Sequence, residues 1–434
     1  MQTLTPLLAL DPESRVARLA ALQPASHSDP AALARAAAIR GGRAAGLKRL
    51  DSIDPVAYAR TRNFVGGAVS RLSPWLRHGV LSLAEVRDAA LGRVTHAAEA
   101  ETFIAELGWR DYWRQVYAAI GTLIHRDLEP PAARWRSGSQ LEAMPADVLA
   151  ADTGLACIDA FVRRLHETGW LHNHERMWLA SWLVHFRGVR WQAGADWFLS
   201  HLLDGDPASN HLSWQWVAGT FSAKPYIFNR ENLERFTDGG HCRECPLLGT
   251  CPMEGSYDEL SARLFAGDPP PRSPLRIPPA PPWRLSQDDL PGRPLVWLTL
   301  DALAATSPAA LRFPDAPRLF VLDPAWLAAE QPSLNRLAFI FDCLAEIEGL
   351  EVVQADPSEA VPLVASRHGC SHVAVATTPC PRIRAAAASI AGQLPVSVVD
   401  EPPFCDRSRV TDLGRLSRSW SKVSRSALVP TASR

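Results

Sequence analysis

No window of eighteen apolar residues occurs in this chain, and the N-terminal run MQTLTPLLALDPESR lacks the basic segment and long apolar stretch of an export leader. Neither a membrane span nor secretion is expected, which points to a cytoplasmic protein with no membrane partner and, as the simplest assembly, a monomer. A charge excess of one sign is also missing, since 45 Lys and Arg stand against 46 Asp and Glu. That balance excludes a chain that binds polyanions through bulk charge alone. It conceals a local excess: from Cys405 to Arg434, seven Lys or Arg face two Asp. Such an end permits phosphate contact and equally suits a solvated tail. No glycine-rich phosphate loop follows the first strand-like run, so a nucleotide held in the usual dinucleotide manner is not expected. Eight cysteines in an intracellular chain read as thiols or metal ligands rather than disulfides.

What is present divides the 434 residues into two patterns. From about residue 31 to 265, segments such as AALARAAAIRGGRAAGLKRL, EAETFIAELGWRDYWRQVYAAI and ERMWLASWLVHF carry apolar residues at three- and four-residue intervals, which predicts helix after helix. Ten prolines between Asp268 and Pro294 exclude regular structure there and predict an extended linker. Beyond it, PLVWLTLD, RLFVLD, LEVVQAD, SHVAVAT and PVSVVD are short β-branched runs separated by helical patterns, as in a doubly wound parallel sheet. The expected organisation is multidomain, α and α/β. A helical domain spans 1–266, a Pro-rich linker 267–294, an α/β domain 295–404 and a basic tail 405–434. Ten of the fifteen tryptophans lie between Trp109 and Trp216, which suits base or flavin stacking and equally a large helical core.

The run LLDGDPASNHLSWQW, Leu202 to Trp216, fixes two carboxylates, an asparagine and two tryptophans at spacings that packing alone does not require. It resembles the flavin-contacting segment of the photolyase/cryptochrome family, where a DGD-x-x-x-N-x-x-x-W-x-W pattern wraps the isoalloxazine. Three further segments carry the same resemblance in the same order. Tyr58, Arg62 and VSRLSPWLRHG resemble the T-S-x-L-S stretch that donates hydroxyl and backbone N–H groups to the FAD diphosphate; Ser70, Leu72 and Ser73 match, Arg71 at the variable position joins the cofactor set, and Val69 stands where the family has Thr. Taken alone, such serines before a proline also read as a helix cap. ELGWRDYW resembles the family's E-L-x-W-R-E-F-Y helix, with Glu106 and Trp109 on one face and Arg110 directed elsewhere, toward an FAD phosphate. WLHNHERM supplies Asn173, Arg176 and Met177, the arginine expected to pair with Asp206.

The resemblance implies FAD as cofactor and UV-damaged DNA as partner. The implied reaction is light-driven splitting of cyclobutane pyrimidine dimers, a carbon-carbon lyase activity. Trp109 and Trp216 would stack on the flipped-out bases, Glu106 and Asn173 would read their edges and Met177 would fill the space between them. Asn210 would face flavin N5, and Asp204 would accept from the N3 side. Trp214 and Trp191 match the proximal and middle members of a tryptophan chain for photoreduction. The distal position holds Val148, leaving Trp178 and Trp182 as candidate exits. Asn173 and Met177 occupy the positions where (6-4) enzymes carry histidine. The neighbouring His172 and His174 are expected to face other directions. A cryptochrome-like photoreceptor or redox flavoprotein is the competing function.

The downstream half resembles the family's antenna domain, which normally comes first, so the chain resembles a circularly permuted member. The first strand lacks the F-R-x-D-L-R motif, so an antenna pigment is uncertain. HCRECPLLGTCP follows SAKPYIFN and contains Cys242, Cys245 and Cys251. With Cys157 they resemble the ligand set of a bacterial branch holding a [4Fe–4S] cluster; zinc with His241 in place of Cys157, or inert thiols, are the alternatives.

Overall fold

Five runs rich in Val and Leu pair side by side because strands covered on both faces need no polar alternation. The computed structural model describes residues 1–22, 29–135, 140–267, 271–286 and 290–431. Its sheet contains β1 (Gln2–Thr3), β2 (Pro294–Leu298), β3 (Arg318–Leu322), β4 (Leu350–Gln354), β5 (His372–Ala376) and β6 (Val396–Val399). The spatial order is β1-β4-β3-β2-β5-β6. β1 is antiparallel to β4 and every other pair is parallel, with Val296 opposite Arg318 and Pro294 opposite His372. Helices Leu334–Ala345, Pro357–Arg367 and Pro381–Ala391 return the chain between strands. The first two are capped by Ser333 and Asp356, whose side chains accept from the first turn. Successive connections run to opposite sides of β2, which opens a crevice at the strands' carboxyl ends.

The expected boundary at residue 266 divides the sequence but not the packing. β1 extends the sheet, and Leu4, Val16 and Leu19 share one core with Phe339, Phe341 and Val352. Arg15 of the Pro12–Ala20 helix pairs with Asp342 at 3.1 Å and donates to the Leu10 carbonyl at 2.9 Å. An amphipathic pattern predicts a buried face without saying which unit covers it, and here the sheet layer does. The basic segment is likewise not a free tail, because Leu416–Ala427 is a helix. Its buried face packs on the Glu101–Ile120 helix, with the Trp420 ring over Gly108, while Arg418, Lys422 and Arg425 are exposed.

Residues 271–284 belong to no helix or strand, and 285–286 form a bend. Ile277 is buried there and its carbonyl accepts from Leu413 N at 2.7 Å. The parts of the expected linker at 268–270 and 287–289, and of the expected tail at 432–434, lie outside the described residues. The fold is thus mixed, with a six-stranded, mostly parallel sheet beside a helical unit. No described helix is long and apolar enough to cross a membrane.

The helical unit docks on the carboxyl ends of the strands. Asp301, just after β2, pairs with Arg77 and lies 3.7 Å from Arg114. His78 sits between the carbonyls of Leu300 (2.8 Å) and Leu203 (3.2 Å). The crevice left between the two units is about 50 Å³, lined by Arg77, Tyr117, Asp206, Trp297, Asp301 and Cys380, among others.

Candidate active site

The Glu101–Ile120 helix turns Glu106, Trp109, Arg110 and Trp113 onto one face, as positions three, four and seven apart must lie. Opposite it, the Asn173–Ser181 helix presents Asn173, His174, Arg176 and Met177. The Pro207–Ala218 helix presents Asn210, Trp214 and Trp216. Together these side chains and Asp204 line a cavity of about 480 Å³, within the ordinary range for a small-molecule site.

A second cavity of about 220 Å³ is lined by Tyr58, Val69, Ser70, Arg71, Leu72, Ser73, Trp170 and His172. It shares Arg62, Glu106, Asn173, Arg176 and Asp204 with the first, so one extended ligand can reach both. Arg71 adopts φ +53°, a region non-glycine residues seldom enter. Its guanidinium lies 4.5 Å above the Trp170 ring, covering one side of this second cavity.

Three ion pairs set the charge of the larger cavity. Arg62 meets Glu106 at 2.7 Å, Arg176 meets Asp204 at 3.0 Å and Arg110 lies 3.5 Å from Asp206. Burial pushes the Asp204 carboxyl up, but Arg176, Ser73 and Arg110 outweigh it and hold the group below the usual carboxylate range. Burial acts likewise on Asp206, where Arg110, Arg77 and Arg114 prevail and lower it to about 2. Burial raises Glu106 above the usual range against the pull of Arg62. Arg110 Nε and Nη2 and Asp204 Oδ1 are buried without a hydrogen-bond partner among the described residues. Buried polar atoms of this kind call for a ligand bearing both donors and acceptors. The edge of an isoalloxazine ring carries both, so the donor set fits FAD.

Most residues expected at the site from sequence converge on these two cavities, with four corrections. Arg176 pairs with Asp204, not with Asp206. Arg110 faces the same cavity as Glu106, because four residues turn a helix through only 40° beyond a full circle. Asp206 does not line the larger cavity: it caps the Pro207–Ala218 helix, accepting from Ala208 N at 3.2 Å and Ser209 Oγ at 3.0 Å. His174 does line it, whereas His172 lies at the second cavity and bonds the Arg62 carbonyl at 3.0 Å.

Trp214 lines the cavity, its ring laid over Gly194 where a Cβ would overlap it. Trp191 stands behind the wall, donating to Asp127 at 2.7 Å. The sequence reading missed Trp197. Phe198 lies 5.0 Å from Trp214 and 5.4 Å from Trp197, ring centre to ring centre. Trp178 instead stacks on His174 at 5.2 Å, and Trp182 lies under Arg187. Aromatic residues at 197 and 198 in WQAGADWFLS were the available signal.

Cys157, Cys242, Cys245 and Cys251 line one small cavity of about 10 Å³, with His241 also in its wall. Burial raises the Cys157 thiol, and the other three sulfurs add to the effect; Cys242 is pushed up to about 11, by burial first. The four therefore converge, but among the described residues no three His, Cys, Asp or Glu side chains form a group that could hold a metal ion.

Residues 103–239 match the family profile described as FAD binding domain of DNA photolyase. The chain is 41% identical over 159 residues to a deoxyribodipyrimidine photo-lyase of Streptomyces griseus, covering 36% of this chain and 34% of that protein. It is 35% identical over 178 residues to the chloroplastic/mitochondrial cryptochrome DASH of Ostreococcus tauri, covering 40% and 32%. The crystal structure of a bacterial class III photolyase from Agrobacterium tumefaciens aligns at 26% identity over 56% of this chain and 55% of that one, with a TM-score of 0.41. The chain spans about a third of the length of these curated relatives. Over residues 103–239, then, the helical unit is similar to the FAD binding domain of DNA photolyase.

Proposed function

We propose that this protein is a light-driven DNA repair flavoprotein that splits cyclobutane pyrimidine dimers. One observation carries the reading: Glu106, Trp109, Asn173, Met177 and Trp216 line the same cavity as Asn210 and Asp204. Residues suited to two flipped-out bases thus share a wall with residues suited to a flavin, which short-range electron transfer requires. When bound, reduced FAD excited by light supplies the electron that opens the dimer.

The chain's own residues bind and orient. Trp109 and Trp216 give stacking faces, and Glu106, whose pKa burial raises against the pull of Arg62, would donate to a base carbonyl once protonated. Asn210 donates to the Ala195 carbonyl at 2.7 Å, which would leave its amide oxygen available to the flavin. Ser70 and Ser73, with the Arg71 and Leu72 backbone, would hold the diphosphate in the second cavity beside Tyr58 and Arg62. Phosphate contacts by exposed arginines would make DNA affinity fall with salt.

Cys157, Cys242, Cys245 and Cys251 share one cavity wall, and they would hold an iron–sulfur cluster only on drawing closer together than they stand here. The reversed domain order of a circularly permuted photolyase belongs to the same reading.

A photoreceptor without repair activity is the second reading. It is favoured by Val69, which brings no hydroxyl to the second cavity, and by Val148, buried where a distal tryptophan would stand. Incubating the photoreduced protein with a thymine-dimer oligonucleotide under blue light separates the two. Light-dependent loss of dimers supports repair, and intact dimers beside a normal flavin spectrum support the receptor.

A further inference from the structure

The larger cavity has a charge deficit that a nucleic acid ligand would expose. Three guanidinium groups line it, and each already faces a carboxylate: Arg62 with Glu106, Arg176 with Asp204 and Arg110 with Asp206. A pair of adjacent pyrimidines entering this space brings the phosphate that joins them. Turning Arg62 or Arg176 to it would break an ion pair with Glu106 or Asp204, and Arg110, whose Nε and Nη2 have no hydrogen-bond partner among the described residues, lies 3.5 Å from Asp206. Among the described residues, the one remaining group in the cavity wall that can become a cation is His174.

The imidazole is built in one orientation. Its Nδ1 lies 2.6 Å from the Asn63 carbonyl oxygen, so Nδ1 carries a proton and donates. One ring face stacks on Trp178 at 5.2 Å, and Phe236 closes in at 5.1 Å. The remaining edge, Nε2, has no hydrogen-bond partner among the described residues. The charged and titratable groups around it are few. Arg62 stands at the end of the Pro55–Thr61 helix, His172 lies 5.8 Å away at the start of the same helix as His174, and Arg235 sits over Phe236 from the Arg230–Thr237 helix. Burial first, and Arg62 after it, lower the His174 pKa below the ordinary histidine value, so the free protein holds the ring neutral near pH 7. His172 is lower still, at about 4, and does not titrate in the same range.

We propose that His174 Nε2 binds the phosphate joining the two bases of a pyrimidine dimer, taking up one proton from water as the phosphate docks. This rests on the cavity being the dimer site. The proton balance is simple: the free ring has one N–H, the bound ring has two, and no other bond is made or broken. A group neutral when free and protonated when bound makes affinity rise as pH falls, by up to about tenfold per pH unit between its two pKa values.

The test is calorimetric titration of the FAD-loaded protein with a thymine-dimer oligonucleotide between pH 6 and 8, in buffers of different ionisation enthalpy. Wild type should take up close to one proton on binding and bind more tightly at the acid end. His174→Asn should lose that uptake and that pH slope. His174→Arg, a permanent cation, should restore tight binding with no proton uptake. Equal uptake in wild type and His174→Asn assigns the proton to another group, such as Glu106, and overturns the proposal, as does affinity that falls with falling pH. Failure of wild type to prefer dimer-containing over undamaged DNA at every pH would instead overturn the assignment of the cavity.

Discussion

Arg77 Nε and Arg336 Nη2 both donate to the Gly205 carbonyl, each at 2.8 Å. One arginine comes from the helical unit and the other from the Leu334–Ala345 helix of the sheet layer. Gly205 separates Asp204 from Asp206, so the turn that presents a carboxylate to the larger cavity is clamped from both layers. A Cβ at Gly205 would press on the Leu199 carbonyl and the Arg336 guanidinium, which explains glycine there. The sheet layer is therefore a brace for the cavity wall.

Arg336→Met tests the brace. Arg336 is fully buried, pairs with Glu330 at 2.9 Å and also donates to the Leu199 carbonyl at 2.6 Å. Its loss takes the arginine from Glu330 and the Leu199 carbonyl, leaves Gly205 with Arg77 alone, and should cost about 3–5 kcal/mol of stability. Flavin content should fall as well, since Asp204 loses its fixed position. Urea unfolding and the flavin absorbance of the purified variant read both effects; lost stability with unchanged flavin retention would mean the clamp serves folding alone.

Asp206→Asn has a defined pH signature. Its carboxyl is held at about 2 in the folded protein, below an unfolded value of roughly 3.9. A depressed carboxylate pKa contributes stability that is fully present above the unfolded pKa and is lost as pH falls through the folded one. The contribution is about 2–3 kcal/mol near neutrality. Wild type should lose it between about pH 4 and pH 2, whereas the variant should start less stable and show a flatter acid limb. Parallel limbs in denaturation at pH 7, 4 and 3 would contradict the assignment.

Light-driven flavin reduction should slow in Trp214→Phe and in Trp197→Phe more than in Trp178→Phe or Trp182→Phe. The reason is contiguity: Phe198 bridges Trp214 and Trp197 ring to ring. Transient absorption on the four variants gives the order, and equal rates in Trp197→Phe and wild type would remove Trp197 from the path.

Cys245→Ser should abolish any visible absorbance beyond that of the flavin and lower bound iron to background. Iron analysis beside the spectrum distinguishes a cluster from zinc, and an unchanged spectrum with no iron in wild type would leave the four thiols inert.

How far the sequence could be read depended on range. Local spacing sufficed for Glu106 and Trp109, three apart on one helix, and for the β-branched runs of the parallel strands. It misled at Arg110, because the turn of a helix brings a residue four positions on back to nearly the same face. It was silent on partners chosen across the fold. Nothing in Arg176 favours Asp204 over Asp206, and the two residues of β1 are too few to show a strand period. The helices of the first forty residues have an apolar face, but whether the sheet or the helical unit covers it depends on contacts three hundred residues away. His174, expected to face away, lines the cavity because His172 caps its helix, so the first turn, not the helix body, sets its direction.

The measurement that bears most directly on the proposed function is dimer loss from a thymine-dimer oligonucleotide under blue light, by wild type and Glu106→Ala matched for bound FAD, with dark controls. Wild type should repair in a light-dependent manner and the variant should fall by about 10²–10⁴-fold, the usual weight of a positioned acid, with FAD retained. Repair by the variant at the wild-type rate, or none by wild type carrying reduced flavin, would contradict it.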